Sequence, residues 1–418
     1  MSIPLFTDEP VRAAARQLFK SLPMPGRLDE AWRFADTKAL DMSPFEAMPA
    51  PIDGDPARFV KRSRGLTETA GKMIFANDQL LSREVLDASL AQKGVIWKPL
   101  EIAAAEHPEL FAKHFMAHGA PLGSEKFAAL HAASVKTGTF LYVPRGVEID
   151  LPIEVFHWLS GEKNSSFPHT LLIAEANSKV TLVDYFTGAQ PDASGLAVGF
   201  NDLYVGEGAQ LNYVCVQNWS LQTLAIQVNN TVVGANASAK SLNVNLGARY
   251  ARNESASQLI GEGGRSDMLS VTVADGDQVF DQRTFQDHLA PGAFSDLLYK
   301  NALDGGARTI FAGMIKVEPD AHRTDAYQKV RNLLLSDNAE ANSMPGLEIL
   351  ADEVRCSHGA TSGQIEPEEL FYLLARGISK NNAQRLLVQG FLQEAIDRIG
   401  NPALAEKLGE IMRAKFGN

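Results

Sequence analysis

The sequence predicts a mainly β fold, in which a parallel β-helix core at residues 134–363 joins an N-terminal mostly helical domain (1–133) to a C-terminal helical domain (364–418). Three observations support this prediction. β-branched and aromatic residues alternate with polar ones through the middle of the chain, as they do in strands. Small turn residues recur there at a loose but repeated interval, which is typical of stacked coils. On either side, apolar residues follow the 3.6-residue period of helices.

The N-terminal domain begins with a predicted helix from Glu9, whose apolar face is formed by Val11, Ala14, Ala15, Leu18 and Phe19. Prolines at 23 and 25 and a glycine at 26 end it, because proline lacks an amide hydrogen and glycine suits a left-handed cap. Residues 43–55 are predicted to be a loop. Short apolar runs at 73–76 and 95–97 are predicted strands, and residues 100–118 a further helical stretch.

The core contains alternating runs such as residues 139–143 and 241–246. Turn clusters begin at Glu175, Gly206, Gly234, Gly261 and Asp304, which are 31, 28, 27 and 43 residues apart. We interpret the long interval as a loop insertion, which a repeat protein tolerates.

Two all-β architectures fit these strands, a sandwich and a parallel β-helix. A sandwich needs tight Asn-Gly or Asp-Gly hairpins, and only Asp304-Gly305 approaches one. Small-residue corners and asparagine-rich strand ends such as Val228-Asn-Asn-Thr231 suit stacked coils. The pattern therefore favours the β-helix.

The C-terminal domain is predicted to contain three helices. Pro367 lies in the first turn of one helix and Gly377 follows its end, and Ser379 is placed to cap a second helix with an apolar stripe through Leu387 and Phe391. A third helix starts at Asn401-Pro402 and ends near Phe416. Such a domain can close one side of an open solenoid.

The net charge of the chain, −11, disfavours nucleic acid and anionic membranes as partners, because both repel an acidic surface. Its two cysteines, Cys215 and Cys356, are too few for a disulfide framework or a four-thiolate metal site. The first 19 residues contain no apolar signal region, and no run of 18 apolar residues occurs. We therefore expect a cytoplasmic protein.

The most informative segment for chemistry is residues 347–363. If it is a strand, Cys356 and His358 project from one face and could provide two metal ligands or a reactive thiolate. Two ligands do not close a metal site, so any metal here would need groups from another chain. The alternative is a half-buried strand end with an inert cysteine.

Other candidates have simpler explanations. His114 and His118 are four residues apart in a helical stretch but lack the glutamate of a zincin motif. Cys215 is expected to be a small buried apolar residue. His288, His322 and His358 are 34 and 36 residues apart and could stack along one edge, or could be unrelated turn residues. The sequence contains no phosphate-binding loop, dinucleotide fingerprint or nucleophile elbow.

At the level of motifs, the chain resembles the SufD branch of the SufB/SufD family, subunits of the SufBCD iron–sulfur cluster assembly scaffold. The likeness is strongest in the β zone and the C-terminal helices, at Asp325-Ala-Tyr-Gln328, Asn332-Leu-Leu-Leu-Ser336, Pro345-Gly-Leu-Glu-Ile349, Cys356-Ser-His-Gly-Ala-Thr361 and Leu370-Phe-Tyr-Leu-Leu-Ala-Arg-Gly377. Shorter matches occur at Val143-Pro-Arg-Gly-Val147, Pro152-Ile153 and Glu30-Ala-Trp-Arg33. The Cys-Ser-His-Gly-Ala-Thr run distinguishes this branch from SufB.

The resemblance implies a right-handed parallel β-helix that pairs with SufB and docks the ATPase SufC through the C-terminal helices. It implies a transient iron–sulfur cluster at the SufB interface, with His358 and Cys356 as its ligands on this chain, and no nucleotide site of the chain's own. It also implies a non-catalytic scaffold subunit. An open sheet edge predicts a homodimer when the chain is isolated.

Two alternatives remain at this point. The chain could be a purely structural SufB partner without a ligand role at His358. It could also be a polysaccharide lyase with a β-helix fold, although such enzymes act outside the cell and the paired acids Asp352 and Glu353 are adjacent rather than facing each other.

Overall fold

The computed structural model describes residues 6–45, 49–52 and 54–415, and its core is a parallel β-solenoid of about eight turns with helices at both ends. Each turn contributes one strand to each of two facing sheets. This arrangement confirms the predicted β-helix and excludes the sandwich, because neighbouring strands of the solenoid run parallel. A sandwich of hairpins would pair them antiparallel.

The N-terminal part combines six helices with three strands in the described residues. The helices are α1 (Glu9–Ser21), α2 (Ala57–Arg62), α3 (Ser89–Gln92), α4 (Leu100–Glu106), α5 (Pro108–His114) and α6 (Glu125–Ser134). The strands are β1 (Gly71–Ala76), β2 (Gln79–Val85) and β3 (Ile96–Pro99), and short 3₁₀ turns occur at Glu30–Trp32 and Thr37–Leu40.

The solenoid strands follow one another with short corners between them. They are β4 (Thr139–Val143), β5 (Ile153–Leu159), β6 (Asn164–Ser166), β7 (His169–Ala174), β8 (Lys179–Gly188), β9 (Ser194–Val205), β10 (Gln210–Asn218), β11 (Gln222–Val233), β12 (Ser238–Asn245), β13 (Tyr250–Leu259), β14 (Arg265–Ala274), β15 (Val279–His288), β16 (Phe294–Leu303), β17 (Arg308–Val317), β18 (Asp325–Leu334), β19 (Glu340–Ile349) and β20 (Arg355–Gly363). Three helices complete the chain: α7 (Pro367–Leu374), α8 (Lys380–Asp397) and α9 (Pro402–Lys415).

The two sheets keep a constant register along the solenoid. The first, sheet A, has the order β2-β1-β5-β8-β10-β12-β14-β16-β18-β20, and sheet B has the order β19-β17-β15-β13-β11-β9-β7-β4-β3 with β6 beside β9. In sheet A, Gln210 pairs with Ser238, 28 residues on, and Ser238 pairs with Arg265, 27 residues on. One turn of the solenoid therefore contains about as many residues as separate successive turn clusters in the sequence.

The corners that lead into sheet A share one backbone feature, which explains their composition. From β8 onward, the residue two positions before the strand has a left-handed φ in every rung: Asn177, Gly208, Asn236, Gly263, Gly292, Arg323 and Glu353. Glycine and asparagine tolerate this conformation best, so the clusters recur. The predicted loop insertion is wrong. Asp304 begins a corner on the opposite side of the solenoid, which leads from sheet A into sheet B. The next corner that leads into sheet A after Gly261 is the one that contains Gly292.

Three apolar layers result from the alternation of side chains along the strands. One fills the space between the sheets and includes Leu182 and Leu203. A second lies between sheet A and the C-terminal helices, where Val271 meets Leu392. The third lies between sheet B and the N-terminal helices, where Ile226 shares a cluster with Phe127. Helices thus cover the outer faces of both sheets, except at the last turn of the solenoid.

Several local predictions need correction. The predicted helix over residues 100–118 is two helices that break at His107, next to Pro108, and the charged strand β2 was not predicted. Asn229 and Asn230 lie inside β11 rather than at a strand end. The strands near residues 73–76 and 95–97 are confirmed by β1 and β3, while the end of the last helix near Phe416 lies outside the described residues.

The N-terminal domain is fixed to sheet B by a buried arginine. Arg252, on β13, is fully buried and donates hydrogen bonds to Glu254 at 2.6 Å and to Asp281 at 2.7 Å. Its guanidinium lies 3.7 Å from the ring centroid of Trp32 and donates to the carbonyl of Ala31 at 2.9 Å. Burial alone would lower the pKa of Arg252. The two carboxylates outweigh this effect and hold that pKa above its ordinary value.

The C-terminal helices are fixed to sheet A by a second cation. Lys300, on β16, is only 3% exposed, forms an ion pair with Glu394, and donates to the carbonyl of Phe391 at 2.6 Å. Arg398 forms an ion pair with Asp296 at 2.6 Å. The stripe through Phe391 is therefore largely taken up by packing within the chain.

We expect the Arg252→Met substitution to lower the free energy of unfolding by about 3–5 kcal/mol, because it leaves buried carboxylates without their cation. Arg265→Met is the matched control, since Arg265 also pairs with the acid two residues on, Asp267, but is 46% exposed. That variant should lose about 1 kcal/mol or less. Urea titrations followed by tryptophan fluorescence compare the two, and equal losses would contradict the role given to Arg252.

Candidate functional site

The end rung, which consists of β19 and β20, is the last turn of the solenoid and has a free edge in both sheets. β20 pairs only with β18, and β19 only with β17, among the strands that the structure describes. Eight of the nine residues of β20 are exposed. None of the described helices covers this rung in the way that α8 and α9 cover the outer face of the preceding rungs of sheet A.

The ladder pattern defines which backbone groups of β20 are free. The amide of Arg355 donates to the carbonyl of Thr324 at 2.9 Å, so the odd-numbered residues of β20 bond to β18. The even-numbered residues, which include Cys356 and His358, consequently direct their N–H and C=O groups to the open edge. Such an edge can accept another strand.

Cys356 and His358 lie two residues apart on β20 and share the face that points between the sheets, as predicted. Cys356 pairs in register with the buried Ala326 and packs in a small apolar cluster with Leu347 and Val354. His358 is exposed, because the solenoid ends at this rung. The corner at residues 350–354 shows that residues 347–363 form two strands rather than one.

The electrostatic environment of Cys356 favours the neutral thiol. Burial, and then the negative charge of Asp325, raise the pKa of Cys356. A lowered pKa is what makes a cysteine a ready nucleophile, so the structure gives no support to a reactive thiolate in the isolated chain. The positive charge that such a thiolate needs would have to come from outside the chain.

The ligand set at the end rung is incomplete. No group of three or more His, Cys, Asp and Glu side chains in the part of the chain described by the structure is arranged to hold a metal ion. Cys356 and His358 nevertheless offer a sulfur and an imidazole nitrogen, which are donors that iron accepts. The arrangement can therefore contribute to a metal site only if another molecule supplies the remaining ligands.

The other candidate residues do not come together. α5 ends at His114, whose Nδ1 lies 2.8 Å from the carbonyl of Leu110, and His118 lies beyond the helix. Both rings pack against Tyr204 instead of facing a common ligand position. Cys215 is buried in the apolar core between the sheets, which confirms the expectation of a small buried residue.

Of the two possibilities for His288, His322 and His358, the structure excludes the stack along one edge and supports unrelated positions. His288 ends β15 in sheet B, where burial lowers its pKa to about 4 and Nε2 lies 2.8 Å from the hydroxyl of Ser295. His322 is exposed in the corner before β18, and His358 belongs to sheet A. The separations of 34 and 36 residues do not correspond to one turn in register.

An exposed apolar surface on the C-terminal helices was missed by sequence reasoning. The α7 patch consists of Phe371, Tyr372 and Leu374 on α7 and Leu386 on α8, and these side chains are 71%, 56%, 39% and 50% exposed. α7 has no buried residue, and its main packing partner is α8. The signal was the Leu370-Phe-Tyr-Leu-Leu run, which is too apolar for a solvated helix.

Comparison with known proteins identifies the same family along most of the chain. The family model described as "SufBD protein N-terminal region" matches residues 8–155, and that described as "SUF system FeS cluster assembly, SufBD core domain" matches residues 157–391. An iron–sulfur cluster assembly SufBD family protein of Staphylococcus epidermidis is 28% identical over 392 residues, which cover 91% of this chain and 83% of the relative.

Further relatives carry the same family name. They come from Staphylococcus aureus and Staphylococcus haemolyticus, and are 28% and 29% identical over equal lengths. None of the helices in the described ranges is long and apolar enough to span a membrane. The comparisons favour cluster assembly over polysaccharide cleavage.

Proposed function

Because this chain belongs to the SufBD family, whose members take part in iron–sulfur cluster assembly, we propose that it is a scaffold subunit that holds a nascent cluster at a subunit interface. The end rung carries the proposal. It combines an open sheet edge with an incomplete ligand pair, Cys356 and His358, at the same place. A partner that adds a strand there brings its own ligands to this pair.

The partner in this proposal is a SufB-type subunit. The run from Cys356 to Thr361 supports placing the chain in the SufD branch, and the two subunits of such a pair share one fold. Matching strands at the open ends of two solenoids can continue both sheets across the interface. In isolation, the same edge pairs with a second copy of this chain.

We expect Ala360→Pro to abolish the homodimer and to weaken binding of the SufB-type subunit by about tenfold or more, since loss of about 1.4 kcal/mol suffices for that. The amide of Ala360 faces the open edge, so proline removes one edge donor and leaves the ladder to β18 intact. Ala360→Val retains the amide and is the matched control. Sedimentation at micromolar concentration measures both, and unchanged association of the proline variant would disprove edge pairing.

The ATPase partner, a SufC-type subunit, docks on the α7 patch in this proposal. Phe391, on the predicted stripe, packs against the cluster between sheet A and the C-terminal helices, whereas the residues of the α7 patch are exposed. Several exposed apolar and aromatic residues on neighbouring helices are typical of interaction sites. Deletion of residues 366–418 would expose the apolar face of sheet A, so point variants test docking better than truncation.

We expect the double substitution Phe371→Ala and Tyr372→Ala to weaken ATPase binding by about 30-fold or more, since an aromatic anchor typically contributes at least about 2 kcal/mol. The melting temperature of the chain should stay unchanged, because both side chains are exposed. Phe34→Ala provides the control, as Phe34 is 48% exposed in the N-terminal domain. An unaltered Kd in calorimetric titrations of the double variant would exclude this docking surface.

His358 is the principal cluster ligand in this proposal. The imidazole of His358 is exposed at the open edge, whereas the sulfur of Cys356 is half-buried against Leu347 and Val354. The exposed histidine is therefore the more accessible donor.

We expect His358→Ala to slow cluster formation by more than about 10-fold, since even a group bonded to a metal ligand typically contributes about 10- to 100-fold to affinity. Cys356→Ser should have a milder effect. Folding and pairing should persist, because His358 contributes little packing. The measurement is reconstitution of the three-protein complex with ferrous iron and sulfide, followed by visible absorbance.

His322→Ala is the control for this experiment, since His322 is also exposed and lies in the corner before β18. It should form clusters at the wild-type rate. A normal rate for His358→Ala would support the alternative of a purely structural partner without a ligand role.

A further inference from the structure

Gln328 lies directly beside His358 on the neighbouring strand. The two residues pair in register between β18 and β20, and both side chains occupy the face between the sheets. Gln328 is only 2% exposed, whereas His358 is exposed at the end of the solenoid. Gln328 is therefore the buried neighbour of His358 on the adjacent strand.

Within the described residues, only the nitrogen of this buried amide has a hydrogen-bond partner. Its Nε2 donates a hydrogen bond to Oε1 of Gln286 at 3.4 Å, but its Oε1 has no hydrogen-bond partner within the described part of the chain. A buried oxygen without a partner typically costs about 1–3 kcal/mol. Other buried polar atoms of the described residues also lack a partner, but Gln328 is the one of them that pairs in register with the exposed His358.

The surrounding residues hold the amide in this position. A Cβ atom at Gly313 would lie 2.3 Å from Nε2 of Gln328 and 2.5 Å from the hydroxyl of Thr284, so the absence of a side chain there makes room for both. Gln286 donates onward to the hydroxyl of Ser295 at 2.7 Å. The amide nitrogen of Gln328 is thus bonded to a residue inside the solenoid. Its oxygen remains available to accept a hydrogen bond.

On this basis we propose that Oε1 of Gln328 accepts a hydrogen bond from a ring N–H of His358. Adjacent strands are about 4.8 Å apart, which lies within reach of an exposed imidazole that rotates about its side-chain torsions. The hydrogen bond fixes the neutral tautomer and leaves the other ring nitrogen free to bind iron. Histidine ligands commonly donate their second nitrogen in this way. The inference deepens the proposed function and makes Gln328 a positioning residue.

The hydrogen bond is tested on the isolated chain without any metal. With ¹⁵N-labelled histidine, the ring resonances of His358 are assigned by their loss in His358→Ala and recorded at one fixed pH for all variants. We expect Gln328→Met to shift these resonances and change the tautomer ratio. Gln282→Met is the matched control, because Gln282 is also a buried interior glutamine whose Oε1 lacks a partner in the described residues, but it lies on β15, which does not pair with β20. Identical His358 spectra in wild type and Gln328→Met would overturn the inference.

The effect of this hydrogen bond on metal binding is measured in a separate experiment. The complete complex is titrated with Fe²⁺ as the only added ligand. Gln328→Met should lower the Fe²⁺ affinity by about 10- to 100-fold, and Gln328→Glu, which retains an acceptor oxygen, should restore part of it. Should His358→Ala weaken Fe²⁺ binding while Gln328→Met changes neither spectrum nor affinity, only the positioning role is wrong. Conversely, a shifted spectrum with unchanged Fe²⁺ affinity in His358→Ala overturns the ligand role and leaves the hydrogen bond standing.

Discussion

Every strand of the solenoid depends on hydrogen bonds to the strands on either side of it, and this requirement determines what each end must be. At the N-terminal end, β2 and β3 pair antiparallel with β1 and β4 and so finish both sheets. At the C-terminal end, β19 and β20 have no such neighbour among the described strands. β2 and β3 are edge strands too, but only at the C-terminal end, among the described strands, does the edge continue the parallel pairing of the solenoid, and that edge carries Cys356 and His358.

Two buried cations attach the helices to the outer faces of the sheets, and they differ in how exposed their acidic partners are. Arg252 is enclosed with Glu254 and Asp281, so water has little access to any member of that network. Lys300 is equally buried, but its partner Glu394 is 43% exposed. Salt and solvent screen exposed pairs far more strongly than enclosed ones. The N-terminal helices are therefore attached to sheet B more firmly than the C-terminal helices are attached to sheet A. The C-terminal helices bear the α7 patch.

Sequence reasoning located the features that depend on local rules. Alternation predicted the strands, corner composition reflected a left-handed φ, and the spacing of Cys356 and His358 correctly placed them on one face. It failed where distant segments decide the outcome. Nothing in the helix pattern says that Phe391 meets Lys300 while Phe371 stays exposed, and nothing marks Gln328, since only the register between β18 and β20 brings it beside His358.

The corner residues also imply that the solenoid is not equally stable along its length. Five successive corners use asparagine or glycine at the left-handed position, but the last two use Arg323 and Glu353, for which that conformation typically costs about 1 kcal/mol or more. These are the corners that lead into β18 and β20. Local unfolding should therefore begin at the end rung, so that amide hydrogen exchange is fastest there. A partner strand would then order the very segment that carries the ligand pair, which couples assembly of the interface to completion of the site.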